Sequence, residues 1–398
     1  MNAPSCLHPG TSRPRLPRAL RLALGASIVA LVAGCASKSE PIYTPKELQA
    51  FEASAELQER WSTRVGDGLG RARYPIAPAR DGNRLFAADA DGVVAAYNAD
   101  NGQRQWEVNL DADVSSALNA IAGELYLGTR NGEVLALDQE DGSVQWRSRV
   151  SSDVLAAPQA NQQQLIVQST DGRITALNRA TGDQLWTYSS QLPALTLRGT
   201  GTPQTIDPVT FAGFSNGRLA TLDNRNGQPL WEQQIATPSG RSDVERLVDL
   251  AGQPVITPDG RLFVTSYNGE VAALEALRGD VMWSRSLSSR HTPVLVGDLL
   301  FVATDESHVV ALTADNGQEV WRNRDLEGRW ITAPAFADGN LVFGDYEGYL
   351  HLIDARDGEL AARHEVDDSG ISVRPVTEGS TIHVQADNGR LETLEVTQ

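Results

Sequence analysis

Eight copies of one alternating segment, a tryptophan at a fixed place after most of them, and an orphan strand at each end of the chain predict an all-β fold. That fold is an eight-bladed β-propeller of four-stranded antiparallel blades, closed by an N-terminal strand that completes the last blade.

The repeated segment reads "DGVVAAYN" from Asp91, "NGEVLALD" from Asn131, "DGRITALN" from Asp171 and "NGRLATLD" from Asn216. It recurs as "NGEVAALE" from Asn268, "ESHVVALT" from Glu306, "EGYLHLID" from Glu347 and "NGRLETLE" from Asn388. Most copies open on Asn-Gly or Asp-Gly, which supply the positive φ that a tight hairpin requires. The apolar-polar alternation that follows is that of a half-buried strand. A second segment places a turn glycine four residues before Trp106, Trp146, Trp186, Trp231, Trp283 and Trp321; the seventh copy, after Gly358, has Ala362 instead. Two further apolar runs precede each first segment, as in "APAFADG" and "NLVFGDY" before Glu347, so each unit is four short strands. Such a unit cannot bury both faces alone, but neighbours stacked around an axis can, with Trp wedged between blades.

The eighth copy ends at Glu395 and lacks its fourth strand, while Trp61 opens "WSTRVG" with no blade before it. The two orphans are complementary, so Trp61 to Val65 is expected to supply the outer strand of the last blade. Residues 60–398 then form the propeller.

Residues 1–34 have the pattern of a signal peptide: Arg13, Arg15, Arg18 and Arg21, then the apolar "LALGASIVALV". The apolar run is too short and too rich in small residues for a membrane span. "LVAGC", 31–35, resembles the bacterial lipobox, which implies cleavage before Cys35 and lipid on its thiol. Several acyl chains anchor firmly where one binds only marginally. Ala36 rather than Asp after the cysteine points, by analogy with enterobacterial sorting, to the outer membrane. Residues 35–59 are expected to be a lipid-anchored tether, with a short helix from the Thr44-Pro45-Lys46-Glu47 start pattern through Leu57.

The net charge of −17 disfavours nucleic acid, whose phosphates call for Lys and Arg. The only cysteines are Cys6 and Cys35, so the body holds no disulfide and no cysteine-based metal or redox site. Gly213-Phe214-Ser215-Asn216-Gly217 matches G-x-S-x-G, but on a strand-to-strand turn rather than the strand-to-helix elbow that catalysis needs. His291, His308, His351, His364 and His383 form no chelating pair and are expected at the surface or between blades. No catalytic, cofactor-binding or metal-binding residue is assigned. Spacing leaves a calcium or quinone site at the ring centre open.

The repeat is irregular in two places. Trp186 to Gly217 and Trp231 to Gly269 are longer gaps than Trp106 to Gly132 or Trp146 to Gly172. The extra residues, near 188–201 and 235–253, lie in consecutive outer-to-inner connections and project from one face. "SSQLPALTLRGTG" carries Leu192, Leu195, Leu197 and Arg198; "ATPSGRSDVERLVDLAG" carries Asp243, Glu245, Arg246 and Asp249. Apolar anchors inside a charged rim suit a protein interface.

The unit "NGEVLALDQEDGSVQW", 131–146, resembles the repeat of pyrroloquinoline-quinone propellers, and a PQQ-dependent periplasmic dehydrogenase is the alternative reading. Those dehydrogenases carry an adjacent cysteine pair that this body lacks. A sensor or polymer-binding propeller is a third. The lipobox, "WSTRVGDGLG" (61–70), "LTLRG" (195–199), "DVERLVDL" (243–250) and "GDYEGYLHLIDARDG" (344–358) together resemble the BamB family of the outer-membrane β-barrel assembly (BAM) machinery. The resemblance spans essentially the whole mature chain. It implies a non-enzymatic scaffold without cofactor, held by its lipid at the periplasmic face of the outer membrane. Such a scaffold binds the POTRA domains of BamA and other BAM components and assists insertion of outer-membrane proteins, whose unfolded chains it could also meet. The family's BamA-contacting residues fall on Leu195, Leu197, Arg198 and Asp249. A second family acid is Ala251 here, for which Asp243 or Glu245 would substitute.

Overall fold

The structure is a computed structural model that describes residues 45–197 and 201–397. The expected signal peptide, Cys35 and Arg198 lie outside the described residues. Every regular element among the described residues is a β-strand, and the strands form eight four-stranded antiparallel sheets. The first blade is Ala79–Asp81, Arg84–Ala88, Val93–Asn98 and Arg104–Asn109, ordered from the axis outward. Six more follow the same order. In the eighth, Val376–Glu378, Thr381–Gln385 and Arg390–Thr397 are completed by Glu56–Arg64. The register runs from Glu56 opposite Thr397 to Arg64 opposite Arg390, so the predicted closure is present and begins earlier than Trp61.

The third strand of each blade is more buried than its alternation suggested. Val134, Leu135, Ala136 and Leu137 are all fully buried. A blade inside a ring has a neighbour on each face, so both sides of its middle strands are covered, as in the core that Phe211 and Leu219 share with Leu262, Val264 and Leu274. Alternation survives in the outer strands, such as Val144–Arg149, where Trp146 is buried and both its neighbours are exposed.

The tryptophans join consecutive blades. The Trp61 indole N–H donates to the Ala99 carbonyl of the first blade at 2.9 Å, and Trp106, Trp146, Trp186, Trp231, Trp283 and Trp321 each donate to the next blade at 2.7–3.2 Å. Each ring lies flat on a turn glycine of that next blade: Trp61 on Gly102, Trp106 on Gly142, and so on to Trp321 on Gly358. A Cβ at any of these seven glycines would sit 2.3–2.8 Å from the indole, and their φ angles are +67 to +79°. Only glycine meets both demands. Ala362 now has a reason. The partner glycine would sit in the turn between the third and fourth strands of blade 8, and that turn does not exist because the fourth strand comes from the other end of the chain. At this junction His364 Nε2 instead meets the buried Glu392 carboxylate at 2.7 Å, which Arg390 Nε also reaches at 2.9 Å.

The helix expected through Leu57 is absent. Residues 45–55 are irregular and bonded to the ring. Lys46 N–H donates to the Glu327 carbonyl at 2.9 Å, and both Ser54 N–H and Ala55 N–H donate to that of Ala361. Arg329 and Arg363 donate to the carbonyls of Lys46 and Gln49. These ring partners take up backbone groups that a helix would have paired internally. Of the histidines, His351 and His383 are fully buried and His308 nearly so.

Trp61→Ala is expected to cost about 3–5 kcal/mol, as for other buried tryptophans, and Gly102→Val to be similarly disruptive. Urea unfolding of the propeller, residues 45–398, measures both; a cost below 1 kcal/mol for Trp61→Ala would show that the closing indole contributes little.

Candidate partner-binding face

Four strands alternate in direction, so every connection from an outer strand to the next inner strand emerges on the same face. The two long ones are 190–203, after Gln184–Ser189, and 235–254, after Pro229–Gln234. They flank the fourth blade and touch: the backbone of Gly201 lies against the Leu250 carbonyl, leaving no room for a Cβ.

The first loop is pinned at its start, where Asn216 Nδ2 donates to Ser190 Oγ and to the Gln191 carbonyl, and Leu192 packs over Gly172. Leu195 projects outward at 43% exposure, and Leu197 is half-buried. In the second loop Val244 is 62% exposed, the most exposed large hydrophobic residue described in either loop. Sequence reasoning passed over it because a lone valine among Ser, Asp, Glu and Arg has no periodicity to mark it. Leu192, Leu195 and Val244 are thus the exposed large hydrophobic residues described in this pair of loops.

The acids divide into three kinds. Asp243 is exposed. Glu245 is exposed but occupied: its carboxylate accepts the backbone N–H of Arg241 and of Ser242, which hold its pKa below the usual carboxylate value. Asp249 is only 1% exposed and lies beneath the loop, not on its surface. The Ser215 hydroxyl donates to it at 3.0 Å, and its backbone bridges Tyr267. Its other carboxylate oxygen has no hydrogen-bond partner. Burial pushes its pKa up to about 7, against the opposing bond from Ser215. Ser215, the central residue of the G-x-S-x-G match, therefore serves as a hydrogen-bond donor to a loop carboxylate on a strand-to-strand turn.

The same face opens onto an axial cavity of about 560 Å3, lined from Tyr74 of the first blade round to Ser372 of the eighth. Ala251, where the resemblance expects a second acid, lines this cavity. Trp330, 62% exposed, stands at its edge and packs on Tyr346 with centroids 6.2 Å apart. His291 also lines it; burial, reinforced by Arg290, pushes its pKa down to about 3, so it is neutral at pH 7. Among the described residues no three His, Cys, Asp or Glu side chains converge as metal ligands.

Asp249 binds its proton more tightly folded than unfolded. The stability it contributes is therefore complete below about pH 3.8 and is lost as pH rises through about 7. Asp249→Asn is expected to keep the Ser215 bond and remove this dependence. The mutant's Tm advantage over the wild type should grow between pH 5 and pH 8; a constant difference would mean that Asp249 is not held protonated by burial.

A family model described as outer membrane protein assembly factor BamB matches residues 44–123, 90–323 and 305–398. A protein of that name from Pseudomonas aeruginosa is 45% identical over 361 residues, which is 90% of this chain and 94% of the relative. One from Escherichia coli is 35% identical over 378 residues, 92% and 96% of the two chains. The crystal structure of BamB from Moraxella catarrhalis superimposes with a TM-score of 0.78 at 24% identity, covering 85% of this chain and all of that one, and so supports the fold. With its ring, its closing strand and its two long neighbouring loops, this chain belongs to the outer membrane protein assembly factor BamB family.

Proposed function

We propose that this chain is a non-enzymatic scaffold lipoprotein of the BAM complex, anchored through Cys35 at the periplasmic face of the outer membrane. It binds the POTRA domains of BamA, beside other BAM components, and assists insertion of outer-membrane proteins. The observation that carries the reading is the pair of adjacent loops on one face, presenting Leu192, Leu195 and Val244 to solvent within a charged surround. Exposed apolar side chains on a rigid scaffold, ringed by polar groups, are the composition of a protein-binding patch. The names of the relatives, an assembly factor in each case, support the same reading.

In this mechanism the ring does no chemistry. It holds two loops in one relative position, so the partner meets a preformed surface and little ordering entropy is lost on binding. Leu195 and Leu197 supply apolar contact, and Arg198 a charge-assisted hydrogen bond to an acidic partner group. Asp249 acts from below as a positioning residue, tying the second loop to the turns at Ser215 and Tyr267. Asp243 is the exposed acid available for a basic partner group. The lipid confines the scaffold to the membrane that contains its partner, which raises the effective concentration of each for the other.

Binding of purified BamA POTRA domains to the mature chain should weaken at least tenfold on Leu195→Ala combined with Arg198→Ala, with the thermal midpoint unchanged. Val244→Asp is expected to weaken it as well. Unchanged affinity in both variants would remove the loops from the interface.

A further inference from the structure

Arg374 immediately precedes Pro375 on the approach to the inner strand of the eighth blade, Val376–Glu378. The repeat shows where a side chain at this place points. Its counterparts Ala117, Ala157 and Thr202 line the axial cavity. In the fifth blade the counterpart is Gln253, whose side-chain amide donates to Gln159 Oε1 at 3.2 Å and Gln204 Oε1 at 3.0 Å, on the consecutive third and fourth blades. The same register puts Arg374 at the shaft, two residues after the cavity-lining Ser372 and on the wall opposite that glutamine cluster. Around it the counterparts in the seventh, first and second blades are Ala333, Ala77 and Ala117, which leave space and supply no carboxylate.

Arg374 has no hydrogen bond or ion pair among the described residues. Its side chain is exposed. Both facts fit a guanidinium standing in open space inside the ring. The other arginines at the cavity are engaged: Arg73 with Asp387 at 3.0 Å and Arg290 with Asp305 at 3.1 Å. His291 is neutral there. A guanidinium without a counter-charge is free to take a ligand, and its planar fork of donors is matched to carboxylate or phosphate oxygens. We propose that the axial shaft is a binding site for a small oxyanion, a carboxylate or a phosphate, anchored by Arg374. The axial cavity of about 560 Å3 limits the site to small anions.

The test is isothermal titration of the mature chain with inorganic phosphate and, separately, malonate, each at ionic strength matched with sodium chloride. Saturable binding of either anion is expected, weakened at least tenfold in Arg374→Gln and largely kept in Arg374→Lys, as for loss of charge-assisted hydrogen bonds. The anion preferred tells a phosphate site from a carboxylate site. Because Arg374 makes no bond in the fold, Arg374→Gln should melt with the wild type. Should it not fold, modification of Arg374 by phenylglyoxal in the wild-type chain, followed by mass spectrometry, decides the matter: the preferred anion should slow it and chloride should not. No saturable binding of either anion, equal binding by Arg374→Gln, or no protection of Arg374 would overturn the proposal.

Discussion

Seven times around the ring, an indole leaves the outer strand of one blade, lies on a glycine of the next and donates its N–H to a carbonyl there. The contact joins two requirements that are far apart in sequence. The glycine must adopt a positive φ for its hairpin, and it must be bare so that the indole can close on it. Blade spacing follows from this contact, and with it the burial of both faces of every middle strand. The contact from Trp61 differs from the others because it is made by the N-terminal strand, so one interaction fastens the last blade and ties it to the first.

The described parts of both loops are tied to that ring, the first through Asn216 at Ser190 and Gln191 and the second through Asp249 at Ser215 and Tyr267. Asp249 illustrates the arrangement. A carboxylate buried beside a serine, with one oxygen unpartnered and its pKa raised to about 7, is an unfavourable element for stability at neutral pH. It sits where the second loop is fixed to two neighbouring turns, as residues at functional sites often do when shape matters more than stability.

The ring was legible in the sequence because its determinants are local: the turn dipeptides, the Gly-to-Trp spacing, and the two orphan strands. Ala362 was visible only as an exception, since its cause is a turn missing from the opposite end of the chain. The helix expected from Thr44 to Leu57 failed because capping residues describe an isolated segment, whereas here Glu327, Ala361, Arg329 and Arg363 of the ring take the backbone groups. Loop length located the candidate face, but which side chains reach solvent did not follow from composition. Asp243, Glu245 and Asp249 are near neighbours in sequence, and only the fold separates the exposed, the locally bonded and the buried one. The place proposed for Arg374 was illegible for a related reason: facing the axis is a property of the closed ring, not of any one repeat.

Closure by the N-terminal strand is the claim on which the rest depends, and native-state hydrogen exchange on the propeller tests it most directly. The paired strands Glu56–Arg64 and Arg390–Thr397 should exchange only with the global unfolding of the ring, at the same free energy as middle strands such as Glu133–Asp138. Early exchange of the terminal pair, at a free energy well below that of the middle strands, would mean that the ring stays folded without its clasp and would contradict the account.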